Sequence, residues 1–215
     1  MCGQLSKHLS INVEIDNKGA VTLSENMLMT DINKTYRQCP THAGGRDWPF
    51  AAYSPQTDVM YVQLQNLCAN YKVRANNIPS KPSDQYNTIG AQVIADGSTN
   101  IGRLDAISVE TGRTLWSWET PASNYSPVLA TAGGVLFNGS MDRYLRAFDQ
   151  SDGKLLWQTR LGSQVFGAPV TFSVAGRQYI AVAAGGGYNT GPVQLRPDLD
   201  QPSGSNMVYV FALPQ

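Results

Sequence analysis

The chain has 215 residues, of which 42% are hydrophobic and only 15% charged, and its 16 basic residues cancel its 16 acidic ones. Average soluble domains carry about 25% charged residues, so this deficit, together with 20 Gly and 12 Pro, points to many short strands joined by uncharged turns. Balanced charge without a basic stripe excludes nucleic acid as an electrostatic partner, and no apolar run reaches the ~18 residues of a membrane span.

Taken in chain order, residues 1–10 lack a basic segment followed by a long apolar stretch, so no signal peptide is expected there. Residues 11–15 and 20–23 predict a small hairpin around Asn17, Lys18 and Gly19. Residues 50–64 predict strand, turn and strand. Residues 70–100 are polar and rich in Pro, Ser and Asn, which predicts a long loop. Residues 104–107 predict a strand, Thr111-Gly112 a tight turn, and Leu115-Trp116 the start of the next strand. Residues 134–139 and 178–183 predict further strands. Residues 207–212 resemble residues 104–107 without the turn, as expected of a terminal strand that closes a ring against the other end of a chain. No helix is predicted.

An internal repeat organises these elements. Leu104, Ala106, Gly112, Leu115 and Trp116 recur as Leu145, Ala147, Gly153, Leu156 and Trp157, all at one offset of 41 residues. Glycine accepts the positive φ of a tight turn without a Cβ clash, and the indole that follows is large enough to pack between neighbouring sheets. A strand–turn–strand unit repeating at about 40–45 residues has the period of a propeller blade. The expected fold is therefore all-β: a partial propeller over residues 1–215. Residues 1–38 form an incomplete leading blade and residues 39–215 about four blades, which include the loop 70–100 and the closing strand 207–212. A half-ring exposes bare sheet edges that call for a partner segment.

The common catalytic classes find little support. The two histidines, His8 and His42, accompany no GxSxG nucleophile elbow, and no phosphate-binding loop occurs. Gly185-Gly186-Gly187 is followed by no helix pattern, which excludes a dinucleotide fingerprint. Cys2, Cys39 and Cys68 lack metal-ligand spacing. They read either as three reduced buried thiols or as a Cys39–Cys68 bridge with Cys2 left over, and spacing alone does not choose.

The most distinctive stretch runs from Cys39-Pro40 through His42, Gly44, Gly45, Arg46, Asp47 and Trp48 to Ala52-Tyr53-Ser54-Pro55, with Cys68 following. It resembles the quinoprotein alcohol dehydrogenases, a family that uses pyrroloquinoline quinone (PQQ) and includes methanol dehydrogenase. The resemblance continues through residues 130–137, both repeats, residues 167–170 and 179–182, and Gly185 to Gly187, covering essentially residues 20–213. It implies an eight-bladed propeller with PQQ near its axis, of which this chain would be the C-terminal half.

By the same resemblance Asp47 occupies a cofactor position where relatives usually have Asn, and Trp48 sits beside it as a cofactor contact or an indole buried between blades. Tyr125 stands where relatives often place a Trp that reaches PQQ. Gly186 and Gly187 approach the cofactor through backbone or simply form a tight turn. Cys39 and Cys68 match a family disulfide, which favours an oxidising periplasm. For His42 and Arg46 a structural hydrogen bond or a solvated loop is expected rather than a catalytic role.

The family's calcium or lanthanide ligands, general base and stacking Trp belong to the half that precedes this chain, and no counterpart occurs here, so no catalytic or metal-binding residue is assigned. The resemblance implies PQQ and the metal as cofactors of the complete enzyme and a small alcohol-type substrate. Without a CxxCH haem motif, an external cytochrome c is the expected electron acceptor. The missing N-terminal half, a second chain or a second copy in a homodimer would cover the open edges, and the chain alone is expected to be inactive. The alternative is a non-catalytic propeller of PQQ-like repeats serving as an interaction scaffold, which would have no need of the Gly44–Trp48 stretch or of the Cys39/Cys68 pair.

Overall fold

The computed structural model describes residues 13–23, 28–32, 34–42, 45–75, 86–186, 194–199 and 205–212. The repeat is visible as geometry. One four-stranded antiparallel blade consists of β4 (Ala52–Ser54), β5 (Val59–Gln65), β8 (Gly102–Ser108) and β9 (Thr114–Thr120), in that order. The next consists of β10 (Val128–Ala130), β11 (Val135–Gly139), β12 (Tyr144–Asp149) and β13 (Leu155–Arg160). Gly112 and Gly153 turn their hairpins at φ +69° and +74°. Both hairpins carry a register shift at the equivalent place, Ala106/Ile107 and Ala147/Phe148. A bulge at the same step of each repeat twists both blades alike.

The core lies between sheets. Val59, Tyr61, Leu104 and Ala106 of the first blade are buried against Val128, Leu136 and Phe148 of the second, with Trp116 and Trp118 packed alongside. Trp116 Nε1 and the Tyr61 hydroxyl both donate to the Gln150 carbonyl, at 3.0 and 3.1 Å, so each large ring also satisfies its polar atom on burial.

The second blade packs in turn on a three-stranded sheet, β14 (Val170–Val174), β15 (Arg177–Ala184) and β16 (Met207–Ala212). Leu145, Leu161 and Val165 meet Val182 and Ala184 there, with Tyr209 and Phe211 alongside. The far face of this sheet leaves Val170, Phe172, Val174, Val208 and Val210 exposed.

Three expectations are corrected. Residues 70–100 are not a long loop: β6 (Leu67–Ala75) and β7 (Tyr86–Ile94) pair from Leu67↔Ile94 to Ala75↔Tyr86, while residues 76–85 lie outside the described ones. The pair runs from a buried base at Leu67 to Ala69 out to exposed Arg74 and Ala75, so its composition follows solvent while its backbone ladder persists. Residues 1–38 do not supply a leading blade among the described residues. β1 (Val13–Ile15) and β2 (Val21–Leu23) form an isolated two-stranded ribbon, and β3 (Thr35–Gln38) joins β6 and β7 in a separate sheet. The ribbon itself sits where the hairpin was expected, with Gly19 at φ +84°. The expected closing strand, β16, pairs with β15 from Ala184↔Met207 to Tyr179↔Ala212 and forms the edge of the last sheet. Tyr209 and Phe211 hold it there by packing toward the second blade. In place of about four blades, residues 39–215 hold two four-stranded sheets, this three-stranded one, and the β3–β6–β7 excursion inserted between β5 and β8.

Candidate cofactor site at the entries to the blades

The first strands of the two four-stranded blades lie side by side, with the Val128 amide donating to the Phe50 carbonyl at 3.2 Å. This brings together the segments that lead into β4, β10 and β14. The first is stitched to the end of β5: Gln65 N–H donates to the Gly45 carbonyl at 2.7 Å, and the Gln63 side chain donates to the Pro49 carbonyl. Arg46 Nη2 donates to the same Pro49 carbonyl at 3.0 Å, a structural bond in a solvated loop, as expected.

Asp47 is half-buried in this segment. Its Oδ1 accepts the Trp48 amide at 2.8 Å, and its Oδ2 accepts the Tyr125 hydroxyl at 3.1 Å across 78 residues of sequence. Two residues singled out from sequence for one cofactor are thus directly bonded. Trp48 is 68% exposed, so its indole is not packed between the blades described here.

Tyr125 neighbours Phe166, with ring centroids 6.3 Å apart. Phe166 in turn lines a cleft of about 440 Å³ with Gly185, Asn206 and Met207. Gly185 N–H donates to the Gln164 carbonyl at 2.9 Å. Gly186 adopts φ +117°, and its amide donates to Asn206 Oδ1 at 2.9 Å. A Cβ on Gly185 would stand 2.2 Å from that same oxygen. The glycine pair is therefore a turn clamped by Asn206, and the Gly186 N–H is committed within the protein. Gly187 lies outside the described residues.

Phe166 and Asn206 escaped the reading of the sequence. Phe166 had a signal, since it stands 41 residues after Tyr125, the repeat offset. Asn206 had none, because only the pairing of β16 brings it to the glycine turn.

The disulfide between Cys39 and Cys68 is formed, with Cα atoms 4.3 Å apart. It ties the segment after β3 to the start of β6, and packs on Ala95 and Val93. His42, three residues on, is held structurally: its amide donates to the Tyr71 hydroxyl at 2.8 Å, and that oxygen lies 2.7 Å from Nδ1.

Two perturbed phenols lie away from this cluster. Burial pushes the Tyr61 phenol up, and the Asp58 carboxylate bonded to Tyr53 pushes that phenol up too.

The arrangement can hold a flat, polar molecule. Trp48, Tyr125 and Phe166 supply aromatic faces, and Asp47 supplies acceptor oxygens. In the loops that carry Tyr125 and Phe166, buried Asn124 Oδ1 and Ser163 Oγ have no hydrogen-bond partner within the protein, as happens where a ligand or solvent completes a site. These features fit a tricyclic quinone such as PQQ. Among the described residues no three His, Cys, Asp or Glu side chains gather to hold an ion.

Residues 122–180, which contain Tyr125, Phe166 and the second blade, match the family model of the glucose/ethanol/alcohol dehydrogenase beta-propeller domain. The lanthanide-dependent methanol dehydrogenase of Methylacidiphilum fumariolicum (strain SolV) is 34% identical over 176 residues, covering 80% of this chain and 29% of that protein. The quinoprotein ethanol dehydrogenase of Pseudomonas aeruginosa is 30% identical over 186 residues, 84% of this chain and 29% of that protein. Among solved structures, a europium-containing methanol dehydrogenase superposes with a TM-score of 0.78 at 26% identity, over 98% of this chain and 39% of that one. The chain thus spans less than a third of the length of these curated relatives. In sequence and in fold alike, it belongs to the quinoprotein alcohol dehydrogenase family of PQQ-type β-propellers.

Proposed function

We propose that this chain provides the C-terminal blades and part of the cofactor pocket of a PQQ-dependent dehydrogenase acting on alcohols or related hydroxyl or aldehyde substrates. When bound, PQQ supplies the hydride acceptor for the substrate carbon, while a metal ion, calcium or a lanthanide, polarises it. The observation that carries the reading is the Tyr125–Asp47 hydrogen bond, which joins two family cofactor positions from different blades.

This chain's own residues orient and enclose. Asp47, fixed by the Trp48 amide and the Tyr125 hydroxyl, faces the cofactor with acceptor oxygens, and the rings of Trp48, Tyr125 and Phe166 offer it flat apolar surface. Gly186 belongs to the rim. The general base and the metal ligands come from the rest of the enzyme, so the chain is inactive by itself. The open edge of β16 and the exposed valines of the last sheet support a covering partner: the preceding half, a second chain or a second copy. A cytochrome c takes the electrons onward. The Cys39–Cys68 bridge supports a periplasmic location, because disulfides persist in oxidising compartments.

The test is a fluorescence titration of the purified chain with PQQ and calcium, beside its molecular mass in solution. Saturable binding that weakens in Asp47→Ala is expected. A well-folded chain that binds no PQQ, alone or co-expressed with an upstream half, would overturn the reading.

A further inference from the structure

Three donors around Asp47 and the glycine turn are committed within the protein. The Tyr125 hydroxyl goes to Asp47 Oδ2, the Trp48 amide to Asp47 Oδ1, and the Gly186 amide to Asn206 Oδ1. An ionised carboxylate offers only acceptance. Asn124, immediately before Tyr125, gives its Nδ2 hydrogen to the Arg103 carbonyl and keeps a buried, partnerless Oδ1. At Asp47 itself the protein therefore presents acceptors alone, while the buried Ser163 hydroxyl keeps a hydrogen without a partner in the protein.

That imbalance discriminates between the two redox forms of a quinone. The oxidised form presents carbonyl oxygens, which only accept. Two electrons and two protons convert these into hydroxyls, which donate. An acceptor facing an acceptor leaves both unpaired, whereas a hydroxyl facing Asp47 completes a charge-assisted bond. An Asn in this place could turn its NH₂ toward a carbonyl; Asp47 has no such hydrogen.

We infer that the Asp47–Tyr125 pair makes the pocket prefer the reduced, hydroxyl-bearing form of PQQ to the oxidised form, with Tyr125 acting as a positioning residue that aims the carboxylate. The inference rests on the reading that these residues line the PQQ pocket. Tighter binding of the reduced form raises the potential of the bound two-electron couple, by about 30 mV for each tenfold ratio of affinities. The site becomes a stronger oxidant of its alcohol and a weaker reductant of the acceptor that follows.

The experiment is a pair of anaerobic titrations of the chain with calcium, one with oxidised PQQ and one with PQQ reduced beforehand, read as two dissociation constants. In the unmodified chain the reduced form should bind about tenfold tighter or more, a difference of the size one charge-assisted hydrogen bond supplies. Asp47→Asn, nearly isosteric, should bring the two constants within about threefold of each other. Tyr125→Phe should lower the ratio in the same direction and serves as the second variant if Asp47→Asn fails to fold. Equal affinities, tighter binding of the oxidised form, or a ratio unmoved by these substitutions would overturn the preference and leave the cofactor reading standing. A folded chain that binds neither form would overturn the cofactor reading, and the preference with it.

Discussion

Trp116 lies against Gly153 of the next blade so closely that a Cβ on that glycine would stand 2.6 Å from the indole. Gly153 is therefore required twice, by its φ of +74° and by the ring above it. Gly153→Ala should cost about 2–4 kcal/mol, from left-handed backbone strain plus overpacking. Gly134, at φ +80° with nothing within 4 Å of its Cβ position, should cost only about 1–2 kcal/mol on the same substitution. Urea unfolding midpoints of the two variants measure the difference. Equal costs would mean that the indole contact contributes nothing to holding the blades together.

The Cys39–Cys68 bridge spans a sequence separation of 29. Closing a loop of that length stabilises the folded chain by about 3–4 kcal/mol in the chain-entropy account. A Cys39→Ala, Cys68→Ala double variant should therefore exchange its β6 and β7 amides faster while those of β10 to β13 keep their protection. Hydrogen exchange resolved by segment reads this directly. Uniform loss across all the sheets would show that the bridge supports the whole fold instead of the excursion.

Arg103 and Asp105 form an ion pair on the first blade with side chains only 2% and 0% exposed, Nη2 to Oδ2 at 2.5 Å and Nε to Oδ1 at 2.7 Å. Removing one member leaves a buried charge uncompensated. Asp105→Asn should cost about 3–5 kcal/mol, and the double change Arg103→Met, Asp105→Leu much less. Thermal melts of both variants check the ordering. A double variant less stable than Asp105→Asn would contradict it.

Asp149 is held below the usual carboxylate range by the Ser151 hydroxyl at 2.6 Å and the Ser151 amide at 2.8 Å. A folded-state value depressed below the unfolded one contributes stability above the unfolded pKa, and that contribution is lost as pH falls through the folded value. Ser151→Ala removes the hydroxyl share. Its melting temperature should fall below that of the unmodified chain at pH ~7, with the gap narrowing as pH falls below the unfolded value of 3.8 and through the lower folded one. A gap of constant size across that range would assign the loss to something other than Asp149.

Most of the blade architecture was legible without coordinates. The strands on either side of Gly112 and Gly153, the indoles that follow and the later strands near 134–139 and 178–183 all fall where the repeat put them. These features are local: a turn needs a residue that tolerates positive φ, and an inward strand needs alternating apolar side chains. The β6–β7 pair was missed because Asn70, Lys72 and Arg74 lie on strands that run out into solvent, so pairing left no mark on their composition. The site was half legible. Asp47 and Tyr125 were singled out by resemblance, but that Tyr125 bonds Asp47, and that Asn206 occupies the Gly186 amide, could not be read from either residue's neighbours.

By itself, then, the sequence determined the repeating strand–turn–strand unit, the glycines its turns demand, the family stretch from Cys39 to Pro55, and an all-β fold too short of charge for a helical domain. Tertiary structure decided which distant segments meet: β3 with β6, β15 with β16, and the entries to three successive sheets at one cluster of Asp47, Tyr125, Phe166 and Gly186. The division has one physical cause. Backbone turns and side-chain alternation are settled within a few residues, whereas a hydrogen bond across 78 residues depends on how the blades stack, which is set by the summed burial of their facing sides.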